Sequence, residues 1–408
     1  MIIVIVMLFL LLISFFIPKH KFHYYMYISI GIITFFPFFF WPDNRFDLYR
    51  HILIMDEYHN LDLFQFVNAD KVLSQDTISG LAAASNVHSY PIYSFAMYLI
   101  SKIKIYQLLP VIISFIIYVL AIKRIIYIDK NESTRYMASI ICFFIVLLSY
   151  NYLFIISNLR HPLVGAIFAY TAYEELVTQK NKRLCWLVYV LMPLIHSIGF
   201  LLLCIRILLL FYNRWTKYLI LLCLFFSNVI FLPIAKILTR FSGGIIWIAA
   251  DKYLRYITDR KNVGGMHVST KLTILYIAVL VIVLFFLHSR IKEKYKTYCE
   301  LIIICIVLTF SMTGQSELFN RMEFVLIPVV IPVIQELVSE FSGFGFLSAK
   351  ARLKGARCYQ LGMAFFVAIL VLNFGIACKK NYSVLSPYLS INNFMNNGDM
   401  EDPWNHEE

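Results

Sequence analysis

The chain has 408 residues, of which 60% are hydrophobic, 17% aromatic and only 15% charged, with a mean hydropathy of +0.74. A soluble domain carries about 25% charged residues, so the composition excludes one and predicts a polytopic membrane protein. The formal net charge of +12 does not indicate nucleic acid, because the basic residues form short clusters between hydrophobic runs.

The N-terminal run MIIVIVMLFLLLISFF has no basic residue before it and no small-residue cleavage site after it. It reads as a retained transmembrane helix rather than a signal peptide. Apolar runs long enough to cross a bilayer follow near 24–42, 107–122, 136–156, 162–176, 218–236, 272–288, 297–313, 322–337 and 361–377. The longer stretch 184–213 is interrupted by Pro193, His196, Ser197 and Gly199, and divides into two segments with His196 at the bend. The expected fold is therefore all-α, a single integral membrane domain over 1–408, a helical bundle of about twelve transmembrane helices.

Orientation follows from the basic residues. Loops of one parity hold Lys19 and Lys21, then Lys123, Arg124, Lys130 and Arg135, and so on to the cluster from Lys350 to Arg357, together more than half of the Lys and Arg. The short loops of the other parity hold Arg160 and Arg321 and are expected to face outward, with the acidic tail 396–408. The stretch Ser89–Ile105 would invert the later loops if it crossed, so it is expected to be re-entrant or interfacial. Two outer, periplasmic segments are then large. Segment 43–105 opens with Arg45, Asp47, Arg50 and His51; segment 240–271 carries Asp251, Lys252, Tyr253 and Arg255 between paired glycines.

The stretch Asn158-Leu159-Arg160-His161-Pro162 is the most informative, because an Arg-His pair opening a hydrophobic helix is costly to keep there. Pro162 suits the first helical position, and Asn158 or His161 suits the cap before it. Arg160 and a helix N-terminus would then meet in one place, and both attract anions. The plainer reading is an arginine that snorkels to the headgroups. Arg45, Arg50, Arg160, His161, Lys252, Arg255 and Arg321 come from separate parts of the chain at outer helix ends, so together they suit a pyrophosphate, which arginine binds bidentately. Tyr253 and its aromatic neighbours suit either a sugar or an interfacial belt. His161, His196, which lies inside an apolar run, and Asp47 are the acid–base candidates. Arg206 lies nearer mid-membrane and needs a partner that the sequence does not identify. The eight cysteines are scattered, without metal-ligand spacing, so no metal, cofactor or disulfide framework is expected.

Arg45-Phe46-Asp47 after the second apolar run, Asn158 to His161 opening a helix, the His196-Ser197 bend, Lys252-Tyr253 and Asn320-Arg321 before a helix together resemble EpsG-like and Wzy-type O-antigen or exopolysaccharide polymerases. The resemblance spans about 40 to 340 and rests on short, degenerate motifs; His161 stands where many relatives carry glutamine. It implies a metal-independent membrane glycosyltransferase at the outer face of a bacterial inner membrane. The enzyme would move a growing glycan on undecaprenyl pyrophosphate onto the next lipid-linked repeat unit. Its partners would be that lipid-linked glycan, membrane lipid and a chain-length regulator protein, with no nucleic acid. In this reading Arg160, Arg321 and Arg255 hold the pyrophosphate, and His196 or Asp47 handles the acceptor hydroxyl. The alternatives are a lipid-linked oligosaccharide flippase or transporter, which predicts repeat symmetry that the sequence lacks, and an O-antigen ligase, which shares the outer arginines.

Overall fold

The computed structural model describes residues 2–39, 47–67, 90–131, 152–240 without 214, 293–312, and 321–333 without 323 and 324, with single residues between 139 and 147 and between 247 and 254. Among them there is helix and no strand. In chain order the helices are α1 (Ile2–Ser14), α2 (Phe22–Phe35), α3 (Asp47–Asn60), α4 (Leu63–Val67), α5 (Pro91–Ser101), α6 (Leu108–Asn131), α7 (Tyr152–Ser157), α8 (Arg160–Tyr173), α9 (Lys182–Leu191), α10 (Ile198–Leu210), α11 (Lys217–Phe225), α12 (Ser227–Leu238) and α13 (Glu293–Ser311). Residues 321–322 and 325–333 are helical as well. The runs at 272–288 and 361–377, the acidic tail and most of the segment 240–271 lie outside the described residues.

Among the described residues two helices are long and apolar enough to cross a membrane: Lys19–Phe39, which is α2 with its flanking 3₁₀ turns, and Leu108–Ile126 within α6. The run at 218–236 is broken between α11 and α12, which bend by 74°, and counts as a third span if the pair is one crossing. The run expected to cross at 162–176 is α8, whose 14 residues are continued without a break by the five-residue π turn Glu174–Thr178, ~28 Å at 1.5 Å per residue and close to the ~30 Å hydrocarbon core. The run at 184–213 divides into helices of 10 and 13 residues, ~15–20 Å long and short of that core. Helix α5, with 11 residues, is shorter than that core too. It packs on α3.

That packing is fastened at one end by polar groups. The Lys102 ammonium, just past α5, donates to the carbonyls of Tyr58 at 3.1 Å, His59 at 2.8 Å and Leu61, capping the last turn of α3. His59 Nδ1–H donates to the Ser101 carbonyl at 2.9 Å, and the Tyr106 hydroxyl donates to Asp56 at 2.8 Å.

A proline inside a helix leaves the carbonyl four residues earlier without its N–H donor. Here side chains from other helices fill two such gaps. Pro37 frees the carbonyl of Ile33, which accepts the Phe36 N–H and the Tyr152 hydroxyl at 3.1 Å. Pro332 frees the carbonyl of Pro328, and Arg124 of α6 donates to it. The Tyr298 hydroxyl of α13 takes the next carbonyl, that of Val329, at 2.7 Å. The sequence reading put Arg124 in a basic loop. It is instead 1% exposed on α6, because the helix runs on to Asn131 beyond the end of the apolar run, and the proline gap gives the guanidinium an acceptor.

Arg206 finds its partner in Glu175. The guanidinium bonds the carboxylate bidentately, Nε to Oε2 at 2.7 Å and Nη2 to Oε1 at 2.5 Å, with the Tyr189 hydroxyl donating to Oε2 at 3.0 Å. Trp186 lies 4.9 Å from the guanidinium. Glu175 sits in a π-helical turn, Glu174–Thr178, that ends α8. The turn closes with Gln179 in the left-handed conformation and a Lys180 N–H bond back to the Glu174 carbonyl. One arrangement thus ties α8, α9 and α10 together.

Two stability measurements follow. Arg206→Met is expected to cost about 3–5 kcal/mol, because it strands a buried carboxylate. Replacing Arg206, Glu175 and Tyr189 together by Met, Leu and Phe is expected to recover most of the loss in detergent thermal unfolding; an equal loss in both would show that the ion pair is not the cause. Arg124→Met is expected to cost less in a Pro332→Ala background, where the carbonyl regains its N–H, with a coupling of about 1 kcal/mol in a double-mutant cycle. Zero coupling would sink the proline-gap explanation.

Candidate functional site

Four parts of the fold converge where α8 begins. Helix α8 starts at Arg160 with Leu159 at its N-cap, so Pro162 is the third helical residue rather than the first. Leucine offers no capping oxygen, and His161 is already inside the first turn, so the cap expected from His161 does not form. The turn is closed by backbone bonds, His161 N–H to Asn158 and Leu163 N–H to Leu159.

The Arg160 guanidinium lies over two aromatic faces, 5.3 Å from the Tyr90 ring centre and 5.4 Å from that of Tyr93. Both tyrosines belong to the start of α5, where Pro91 fixes the first turn. The negative ring faces hold the cation without neutralising it, and its Nη1 has no hydrogen-bond partner among the described residues. Tyr93 in turn meets His51 of α3 edge to face at 5.3 Å. The Tyr93 hydroxyl and His51 Nδ1 are likewise buried and unbonded.

Tyr90 also stacks on His196 at 5.7 Å, and His196 meets His161 edge to face at 5.4 Å. His161 Nε2 lies 2.5 Å from the Arg321 carbonyl. Since a carbonyl only accepts, Nε2 carries the proton, and Nδ1 of the neutral ring holds a lone pair. That Nδ1 is buried and has no partner among the described residues. For His196 the assignment differs. The Ile198 N–H donates to its Nδ1 at 3.2 Å, so Nδ1 is unprotonated and the ring's proton sits on Nε2. His196 therefore caps α10 from the preceding turn.

Gly199 makes this bend possible. A Cβ there would lie 2.4 Å from the Met192 carbonyl carbon and 2.6 Å from the Pro193 nitrogen. Only glycine lets α10 start directly against the 3₁₀ turn Met192–Leu194, and so turns His196 toward His161 and Tyr90.

The cluster thus unites Arg160, His161, His196 and the Arg321 backbone among the residues singled out in the sequence. Asp47 opens α3 and pairs with Arg50 at 3.7 Å, an exposed i, i+3 contact of little energetic weight. Its charge still reaches Tyr93. Tyr253 rests edge-on against Phe231 of α12, a contact outside this cluster. Arg45, Lys252 and Arg255 lie outside the described residues. Sequence reasoning did not single out Tyr90 and Tyr93. The available signal was a tyrosine on each side of a helix-starting proline, in Tyr90-Pro91-Ile92-Tyr93.

Burial and the charges of Arg160 and Arg50 hold His51 neutral, well below its ordinary value of 6.5. The unfolded chain takes up this proton as pH falls through 6.5 while the folded chain does not, so stability is lost on acidification. The slope from one such proton is about 1.4 kcal/mol per pH unit. His51→Gln is expected to flatten the fall in thermal midpoint between pH 7 and pH 5 relative to wild type; an unchanged slope would show that His51 is not its source.

No family model, curated protein or solved structure matches this chain.

Proposed function

We propose that the chain is a multi-pass membrane glycosyltransferase with about twelve crossings, seated in a bacterial inner membrane. It would polymerise polyprenyl-pyrophosphate-linked repeat units into O-antigen or a related surface polysaccharide at the outer face. The observation that carries this reading is the Arg160 guanidinium at the start of α8, laid on Tyr90 and Tyr93 with no hydrogen-bond partner for Nη1 among the described residues. It is a cation kept charged and available at a helix N-terminus, beside residues 321–322. A diphosphate headgroup is the anion such a place suits, since it presents oxygens to a planar fork and to backbone N–H groups at once. A sugar stacks on tyrosine faces of the kind that Tyr90 and Tyr93 supply.

In this reading Arg160, with Arg321 and Arg255, binds the diphosphate and stabilises its departure. His196 or Asp47 positions or deprotonates the acceptor hydroxyl. Asp47 and Arg50 stand exposed in the first turn of α3.

A knockout is expected to show lipid A core carrying a single repeat unit on a polysaccharide gel. Wild type restores the ladder, and Arg160→Ala, present at wild-type level by blot, does not. Long chains in the knockout would remove the polymerase reading: chains left on the carrier lipid would point to a ligase. Repeat units accumulating on the inner leaflet would point to a flippase. Full restoration by Arg160→Ala would leave Arg160 an interfacial anchor.

A further inference from the structure

We propose that α4 and the turn that follows α5 form a foot on the membrane surface. Leu63, Phe64 and Val67, together with Ile103 and Ile105, enter the layer between headgroups and acyl chains of the leaflet in which α6 begins. The partner is the phospholipid bilayer itself. This rests on α6 crossing a membrane and not on the polymerase reading, so it holds whether or not the chain polymerises glycans.

Helix α4 has five residues, too few to be stable alone. It is held by Phe66, which is buried, stacked on Tyr98 at 4.4 Å and edge-on to Tyr58 at 5.1 Å. With Phe66 turned inward its neighbours turn outward: Phe64 is 78% exposed, Val67 66% and Leu63 56%. Ile103 and Ile105, beyond the end of α5, are exposed as well. Lys102 joins the two segments, because its ammonium bonds the carbonyl of Leu61 just ahead of α4. Single exposed apolar side chains are ordinary on a protein surface. Five of them in two short, linked segments mark an interaction face.

What covers this face follows from the chain itself. The candidate span Leu108–Ile126 begins three residues beyond Ile105, so the edge of the hydrocarbon core passes beside the turn 102–105. Apolar groups at that level meet the upper acyl chains, and polar groups meet the headgroups. A segment enters so water-poor a layer only with its backbone groups satisfied, and this foot meets that condition. Asp62 and Gln65 cap α4 reciprocally: the Asp62 N–H donates to the Gln65 side chain at 2.9 Å, and the Gln65 N–H to the Asp62 carboxylate at 2.7 Å. The Phe66 N–H donates to the Asp62 carbonyl at 2.9 Å. Lys102 takes the carbonyls of Tyr58, His59 and Leu61 at the end of α3. Charged residues edge the apolar face, with Asp62, Lys102 and Lys104 all exposed. Lys104 stands between Ile103 and Ile105, and its flexible stem lets the ammonium reach lipid phosphates. An apolar face with a charged edge is what elements lying in the interface present. The foot also sets the height of α5 in the bilayer. Phe66 rests on Tyr98 near one end of that helix, and its other end carries Tyr93 beneath Arg160.

Phe64→Trp tests the proposal in the full chain, held in nanodiscs of phosphatidylcholine and phosphatidylglycerol. The reading is the emission that the substitution adds to that of the five native tryptophans. It is taken in bilayers with bromine high on the acyl chains, near the bilayer centre, or absent. The added emission is expected to be blue-shifted, and to be lost more with the shallow bromine than with the deep. Emission typical of an indole in water, unquenched by either bromine, overturns the foot. Blue-shifted emission that neither bromine quenches overturns it too, and points to a second copy of the chain on this face. Greater loss with the deep bromine also overturns the interfacial placing. If Phe64→Trp is not produced, Val67→Trp reports from the same exposed face, and the same outcomes decide.

Discussion

The bidentate pairing of Glu175 with Arg206 determines how α8 and α10 lie together, and the cluster at the start of those helices depends on that alignment. Neither charge tolerates the interior alone, since an unpaired ion there costs several kcal/mol. The Tyr189 hydroxyl and the Trp186 face complete the enclosure. The π-helical turn at Glu174–Thr178 alters the direction of the side chains at the end of α8 and brings Glu175 inward. The same helices begin at Arg160 and Ile198, next to the residues that form the candidate site.

A second constraint is the treatment of helix carbonyls. Pro37, in the 3₁₀ turn that follows α2, and Pro332 each leave a helix carbonyl without its N–H. Each freed carbonyl receives a donor from a helix distant in sequence, Tyr152 in one case and Arg124 in the other. Prolines inside apolar helices are tolerated when such partners exist. The partners also act as fasteners between helices, because a hydrogen bond to a backbone carbonyl fixes position along the helix more strictly than apolar packing does.

Much of this was legible in the sequence. The helical class, the break near His196 and the singularity of the Arg160-His161 pair all follow from hydropathy and the scarcity of charge. What was not legible depended on long-range pairing. Nothing near Arg206 in the sequence distinguishes Glu175 from Glu174, because the choice is made by the wider π turn. Arg124 was read as a loop cation because the apolar run ends before the helix does. Tyr90 and Tyr93 look like belt aromatics until Arg160 is placed over them. The helix start expected at Pro162 lies two residues earlier, at Arg160, which puts Leu159 rather than His161 at the N-cap.

The positions of the ion pair and the cluster, at opposite ends of α8, also make that helix a lever. From Arg160 to Tyr173 it has 14 residues, ~21 Å of rigid rod. With one end fastened by Glu175 and Arg206, a tilt of ~5° moves the other end by ~2 Å over that length. The clearance between Arg160 and the rings beneath it is thus set by the angle between two rods pinned at the far end, and small angular changes are magnified there into distances on the scale of one atom.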